Sequence, residues 1–277
     1  MSLISCIKSF PVVVIKRCFF LFLCLLSVNL VVAQNDTTYQ KGYILVINAY
    51  TEATSWSSRM ISTITRFVAE DPQLAVYTEH MNMMLIDDDA ADLEEFKSAL
   101  FERYGAYPPR LLLLLGDPAL LLKEDFKRVW GDIPMVLCAE KDYTGPDEYY
   151  LHKEVIPQAE RIPMTELADP YNLVLLYSDL YIRKNVELIS QMTPDMKKFI
   201  FIGDERFINV TNEAEVREII RKIYPHVEYQ YLSPQILPIN LLIDSLYRVD
   251  TKTTGILFSS WYYKRTFAGN TSLVTNA

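Results

Sequence analysis

Short apolar runs without polar alternation recur along the chain, and most are followed by a stretch in which apolar positions return every three or four residues. The first run, Tyr43-Ile-Leu-Val-Ile-Asn48, has the pattern of a strand buried on both faces. After it Trp56, Met60, Ile64 and Phe67 or Val68 fall at helical spacing over Ser55–Val68. Residues 75–79 read as a second strand. Residues 92–104 read as a second helix, with Leu93, Phe96, Leu100 and Phe101 on one side. A strand at 111–115, a helix at 118–129 with Pro118 in its first turn and a strand at 135–138 complete the series. This alternation predicts an α/β fold, a parallel sheet with helices on both faces, ending near residue 140.

Between 143 and 171 the period is lost and prolines recur at Pro146, Pro157, Pro163 and Pro170, which predicts a crossover segment. The rhythm then resumes, with strands at 173–177, 198–202, 227–232 and 255–258 and helices at 179–192, 212–224 and 238–247. A second α/β lobe is expected over 172–277, beside a first over 42–142. Leu111-Leu-Leu-Leu-Leu-Gly116-Asp117 and Lys198-Phe-Ile-Phe-Ile-Gly203-Asp204 echo each other as strand, Gly-Asp turn and helix.

The N-terminus has another pattern. Lys16 and Arg17 precede an apolar or small run from Cys18 to Val32, and Val31-Val32-Ala33 supplies small side chains for cleavage, so residues 1–33 read as a secretory signal. A retained signal anchor is the alternative, with Phe10 to Ile15 lengthening the run. Only Lys8, Lys16 and Arg17 of the 27 bases, and none of the 35 acids, precede residue 34, so the overall charge of −8 becomes −11 for the remainder. An acid excess without a basic stripe repels phosphate backbones and argues against a nucleic-acid partner. Cys6, Cys18 and Cys24 belong to the signal, which leaves Cys138 as a small core hydrophobe rather than a disulfide or cluster ligand.

Motifs for established chemistries are missing. There is no G-x-G-x-x-G, no Walker loop, no G-x-S-x-G and no H-E-x-x-H, and His80, His152 and His226 stand in separate segments. Neither a cofactor nor a metal site is implied. Asp87-Asp88-Asp89 reads better as a helix-capping cluster than as a cation site. Asn35, Asn209 and Asn270 each begin a glycosylation tripeptide. The loops after the strands carry the remaining chemistry: Asn48, Tyr50 and Thr51 with Trp56; Gly116 and Asp117; Glu140; Tyr177 and Asp179; Asp204 and Arg206; Ser259 and Trp261. In open α/β sheets ligands bind beyond the carboxyl ends of the strands, and aromatics beside hydroxyls and carboxylates suit a small polar organic ligand. The bland alternative for each residue is a helix cap or an interlobe contact.

The order of Ile44-Leu-Val-Ile-Asn-Ala-Tyr50, Trp56-Ser-Ser-Arg59, Leu111 to Asp117, Gly131-Asp-Ile-Pro-Met-Val-Leu-Cys138 and Leu180-Tyr-Ile-Arg-Lys-Asn-Val-Glu-Leu-Ile189 resembles the type I periplasmic-binding-protein family. The sensor modules of two-component and hybrid histidine kinases, related to the substrate-binding proteins of ABC transporters, are the most similar branch. Lys198 to Arg206 and Thr254-Gly-Ile-Leu-Phe-Ser-Ser-Trp261 match its second lobe. The resemblance implies two Rossmann-like lobes, a ligand in the cleft between them and closure about a hinge. It further implies a periplasmic, membrane-attached receptor, no enzymatic activity in this chain, and kinase or transporter modules outside it, with room for a homodimer. Family members continue past the Ser-Ser-Trp strand, so a truncated second lobe is expected. The other readings are a solute-binding protein of an uptake system and a secreted α/β enzyme using Asp117 and Asp204 as acid and base.

Overall fold

The computed structural model describes residues 42–86, 90–267 and 270–275. In chain order the elements are β1 (Gly42–Asn48), α1 (Ser55–Val68), β2 (Leu74–His80), α2 (Ala90–Tyr104), β3 (Leu111–Leu115), α3 (Lys123–Trp130) and β4 (Met135–Ala139). Then come β5 (Tyr143–Thr144), α4 (Asp147–Leu151), β6 (Ile162–Pro163), α5 (Ala168–Tyr171), β7 (Leu173–Tyr177), α6 (Ile182–Met192), β8 (Lys198–Ile202) and α7 (Phe207–Ile223). β9 (Glu228–Leu232), α8 (Ile239–Tyr247), β10 (Thr254–Phe258), β11 (Tyr262–Phe267) and β12 (Asn270–Thr275) follow. The molecule is an α/β protein with a five-stranded sheet in the order β2-β1-β3-β4-β7 and a three-stranded sheet in the order β10-β8-β9. Every pairing in both sheets is parallel.

The unalternated runs become strands because both their faces are covered. On one face of the first sheet Val46, Leu113, Leu115 and Cys138 pack against Met60, Ile61 and Ile64 of α1. On the other, Leu45, Ile47, Leu112, Leu114 and Leu137 meet Leu93 and Leu100 of α2 and Phe126 of α3. Each such wholly buried aliphatic chain stabilises the fold by about 1.5–3 kcal/mol. In the second sheet Phe199 and Phe201 pack under α6 and α7 through Val186, Val216 and Ile220. Ile200, Ile202 and Leu232 pack under α8 and Trp261. Cys138 is a buried free thiol whose pKa burial pushes up to about 11, as expected of an inert core residue.

The strand at 173–177, expected to open a second lobe, instead pairs with β4 from Met135↔Leu173 to Ala139↔Tyr177 and forms the edge of the first sheet. The proline-rich segment before it is therefore the crossover from β4 to β7 within one sheet. Its Tyr150, Ile156 and Met164 are buried in the first core. Periodicity identifies a strand but not its neighbours, which is why strand order escaped the sequence. Three helices also start elsewhere than expected: the one expected from residue 212 begins at Phe207, directly after the Asp204-Arg206 turn. The run after Gly116 begins as a 3-10 turn, Asp117–Leu122, because all six of its residues are buried and none forms a polar stripe. α6 starts at Ile182 because Asp179 Oδ1 accepts the Tyr181 N–H at 2.7 Å and holds a turn there.

No helix among the described residues is long and apolar enough to cross a membrane, and none of their His, Cys, Asp and Glu side chains group to hold a metal ion. The signal segment 1–33 and the triplet Asp87, Asp88 and Asp89 lie outside the described residues.

Candidate functional site

The order β2-β1-β3 places a topological switch point between β1 and β3, where connections leave in opposite directions and open a crevice beyond the strand ends. The loops flanking it carry Tyr50 and Gly116-Asp117. The second sheet repeats the arrangement as β9-β8-β10. Its switch point is flanked by Gly203-Asp204 after β8 and Ser259-Ser260 after β10. These two sets of loops meet.

Tyr50 is buried, its N–H donates to Asn48 Oδ1 at 3.2 Å, and its hydroxyl donates to Glu140 Oε2. Gly116 makes this placement feasible. At φ +91 a Cβ there would come within 3.0 Å of Tyr50 Cε2 and 3.2 Å of Ala49 Cβ, so only glycine permits both the backbone conformation and the approach. Asp117, wholly buried, accepts the Glu140 N–H at 2.7 Å on Oδ1, whereas Oδ2 has no hydrogen-bond partner among the described residues. Burial, and then the neighbouring Glu140 carboxylate, push the Asp117 pKa well above the ordinary carboxylate range. Burial also raises Glu140, opposed by the Tyr50 hydroxyl and Arg206.

The second sheet contributes a saturated network. Asp204 Oδ1 accepts from the Arg206 N–H at 3.1 Å, Arg206 Nε at 2.9 Å and Asn209 Nδ2 at 2.6 Å. Its Oδ2 accepts from Ser260 Oγ at 2.6 Å and the Tyr262 N–H at 3.2 Å. Ser260 Oγ in turn accepts from Arg206 Nη2 and Asn209 Nδ2. The guanidinium carbon of Arg206 lies 5.2 Å from the Tyr50 ring centroid and 4.7 Å from that of Tyr262, within cation–π range of one aromatic after β1 and of another at the start of β11.

Other contacts hold the two sets of loops together. Lys141 Nζ donates to Asn212 Oδ1 at 2.9 Å and pairs with Glu215 at 3.5 Å. The Tyr150 and Phe207 rings pack at 4.6 Å between centroids, and the Tyr262 hydroxyl donates to the Ala53 carbonyl at 3.3 Å. Between them remains a cavity of about 10 Å³, bordered by Tyr50, Met84, Pro118, Tyr150, Arg206 and Phe207. That is room for one water and no more. The arrangement is a closed one, in which Arg206 from the second sheet sits on the aromatic face of the first.

Six of the thirteen expected site residues, Tyr50, Gly116, Asp117, Glu140, Asp204 and Arg206, come together here, and Ser259 joins at the edge by donating to Asn209 Oδ1 at 2.5 Å. Asn48 and Thr51 hold the turn after β1. Asn48 Nδ2 donates to the Thr51 carbonyl and bonds to His80, while Thr51 Oγ1 accepts the Ala53 N–H. Trp56 and Tyr177 are exposed, and no hydrogen bond or ring contact ties them or Asp179 to the cluster. Trp261 faces away. It is buried with Ile200, Ile202 and Leu232 and lines a cavity of about 360 Å³ with Ile236, Leu237 and Ile239.

Sequence reasoning missed Lys141, Tyr150, Phe207, Asn209, Ser260 and Tyr262 as site members. Lys141, Ser260 and Tyr262 stand in the loops already singled out and were findable there. Tyr150 lies in a segment read as a connector. Asn209, read as a glycosylation position, is buried with both side-chain atoms engaged in the network, which excludes a glycan on it in the folded chain. No protein-family model matches the chain, and no curated protein sequence matches it.

Proposed function

We propose that this chain is the ligand-binding sensor domain of an exported two-component receptor, in which two α/β lobes open and close around a small polar organic molecule. The observation that carries the reading is the meeting of two switch points: Tyr50 and Glu140 on one sheet lie against Arg206 on the other. Each switch point is where an open parallel sheet binds ligands, and the hydroxyl set against a carboxylate there, Ser260 on Asp204, is buried and committed to Arg206 and Asn209. In the closed arrangement the polar groups of the second sheet satisfy one another and Arg206 covers the first. Opening would expose Tyr50, Asp117 and Glu140 to a ligand, and closure on it would alter the angle passed to a kinase outside this chain. The resemblance in sequence to sensor modules supplies the class; the geometry supplies the residues.

The test is a thermal-shift screen of the full chain against amines, carboxylates, sugars and nucleobases. A ligand at 100 times its Kd stabilises by about 2.7 kcal/mol, which for a chain of this size raises the melting midpoint by about 5–10 °C. The shift is expected to shrink in Tyr50→Phe, which lacks the hydroxyl that donates to Glu140. A flat response to every class would contradict the reading.

A further inference from the structure

Asp117 stands out among the buried side chains of the site. One oxygen is fixed by the Glu140 N–H; the other is enclosed and has no donor among the described residues. Buried carboxylate oxygens are nearly always paired, so an exception in a crevice at a switch point calls for a functional account. The cations nearby act on Asp117 and Glu140 only through space. Lys141 is turned to Asn212 and Glu215, and Arg206 is committed to Asp204 and Ser260. What the first sheet presents is two carboxylates, Asp117 and Glu140, beside the buried face of Tyr50. An aromatic face next to carboxylates is the chemistry that receives a cation, and the guanidinium of Arg206, held by the other sheet, already lies over that ring.

We infer that the ligand of this site carries an amine, its ammonium group received by Asp117 and Glu140 beside the Tyr50 ring. The inference rests on the reading of the site as a ligand-binding cleft and names the chemical class that enters it. It also implies a proton balance. The groups facing Asp117 are Glu140 and Lys141 from the loop after β4, Tyr50 from the loop after β1, Tyr143 and Tyr150 from the crossover, and Tyr177 at the end of β7. Burial and the Glu140 charge favour the protonated carboxyl while the site is closed. An ammonium group donating to Oδ2 favours the carboxylate instead, so amine binding draws Asp117 away from its protonated form, and whatever proton the carboxyl holds passes to the buffer as the ion pair forms.

The experiment is isothermal titration of the full chain with 2-phenylethylamine, 2-phenylethanol, phenylacetate and putrescine, alongside the amines, sugars and carboxylates that register in the screen. Each titration is run in two buffers of different ionisation enthalpy. Amines are expected to bind at least tenfold more tightly than their neutral or anionic counterparts and to release a proton. Asp117→Asn is expected to weaken amine binding at least tenfold and to abolish the release. Glu140→Gln, which keeps the acceptor for the Tyr50 hydroxyl, is expected to weaken it as well and carries the test should Asp117→Asn not fold. Binding confined to sugars or carboxylates would overturn this inference and leave the sensor reading standing. Binding by no class at all would overturn both.

Discussion

Two wholly buried aspartates, each directly after a glycine at the end of a parallel strand, have opposite surroundings. Asp204 receives five hydrogen bonds from Arg206, Asn209, Ser260 and Tyr262. Asp117 receives the Glu140 N–H on one oxygen and leaves the other without a donor among the described residues. The second sheet thus carries a finished, internally neutralised network that holds one arginine rigidly. The first carries an aromatic and two carboxylates that, among the described residues, receive no hydrogen bond from a cationic side chain. On the proposed reading of the site, the second sheet would present Arg206 as a preorganised lid and the first would be the receptor surface.

The comparison can be broken first at Asp204. Replacing it with Ala removes the carboxylate that pairs with a buried guanidinium, leaving it the Ser260 hydroxyl, and should destabilise the chain by about 3–5 kcal/mol, read as a drop in the urea midpoint. A loss no larger than that of a surface substitution would show that the network does not hold the second sheet's loops. Gly116→Ala tests the receptor side. It forces a Cβ against the Tyr50 ring at a positive φ and should cost about 1–3 kcal/mol. It should also loosen the hydrogen bond from the Tyr50 hydroxyl to Glu140, visible as a change in tyrosine absorbance.

Asp117→Asn tests the buried carboxyl itself. The folded carboxyl lies above its unfolded value near 3.9, so the native state binds the proton more tightly. The stability this group contributes is complete below about pH 4 and is lost as pH rises toward the folded value. Asparagine cannot ionise and escapes that loss, so without ligand the stability of the variant relative to the parent should rise between about pH 4 and pH 7. Thermal melts at both pH values check the sign. The smallest effect is expected at Trp56. It is exposed at the start of α1, and Trp56→Ala should change stability by less than about 0.5 kcal/mol and leave ligand binding intact.

Much of this was legible in the chain before any coordinates. The unalternated runs at Tyr43, Leu111, Met135 and Lys198 announced strands buried on both faces, and the Gly-Asp echoes marked both aspartates. What was not legible is spatial. Nothing in the spacing of Leu173–Tyr177 says that its partner is β4 rather than β8, because a parallel strand's neighbours depend on how crossovers pack. The sequence reading placed Trp261 in the cleft because it adjoins Ser259. Residues 259–261 lie past the end of β10 and follow no strand alternation, so Ser259 and Ser260 both join the network while Trp261 turns into the core against Ile202 and Leu232. The same limit hid Asn209, whose role rests on what stands opposite it rather than on its own neighbours.

The most direct test of the contrast is the titration of the Asp117 carboxyl carbon by NMR, its resonance assigned by comparison with Asp117→Asn. The midpoint should lie well above the usual carboxylate range in the free chain and fall when a bound amine supplies the missing donor. A midpoint at or below the range of exposed aspartates would mean that the second oxygen is satisfied after all, and the contrast between Asp117 and Asp204 would be lost.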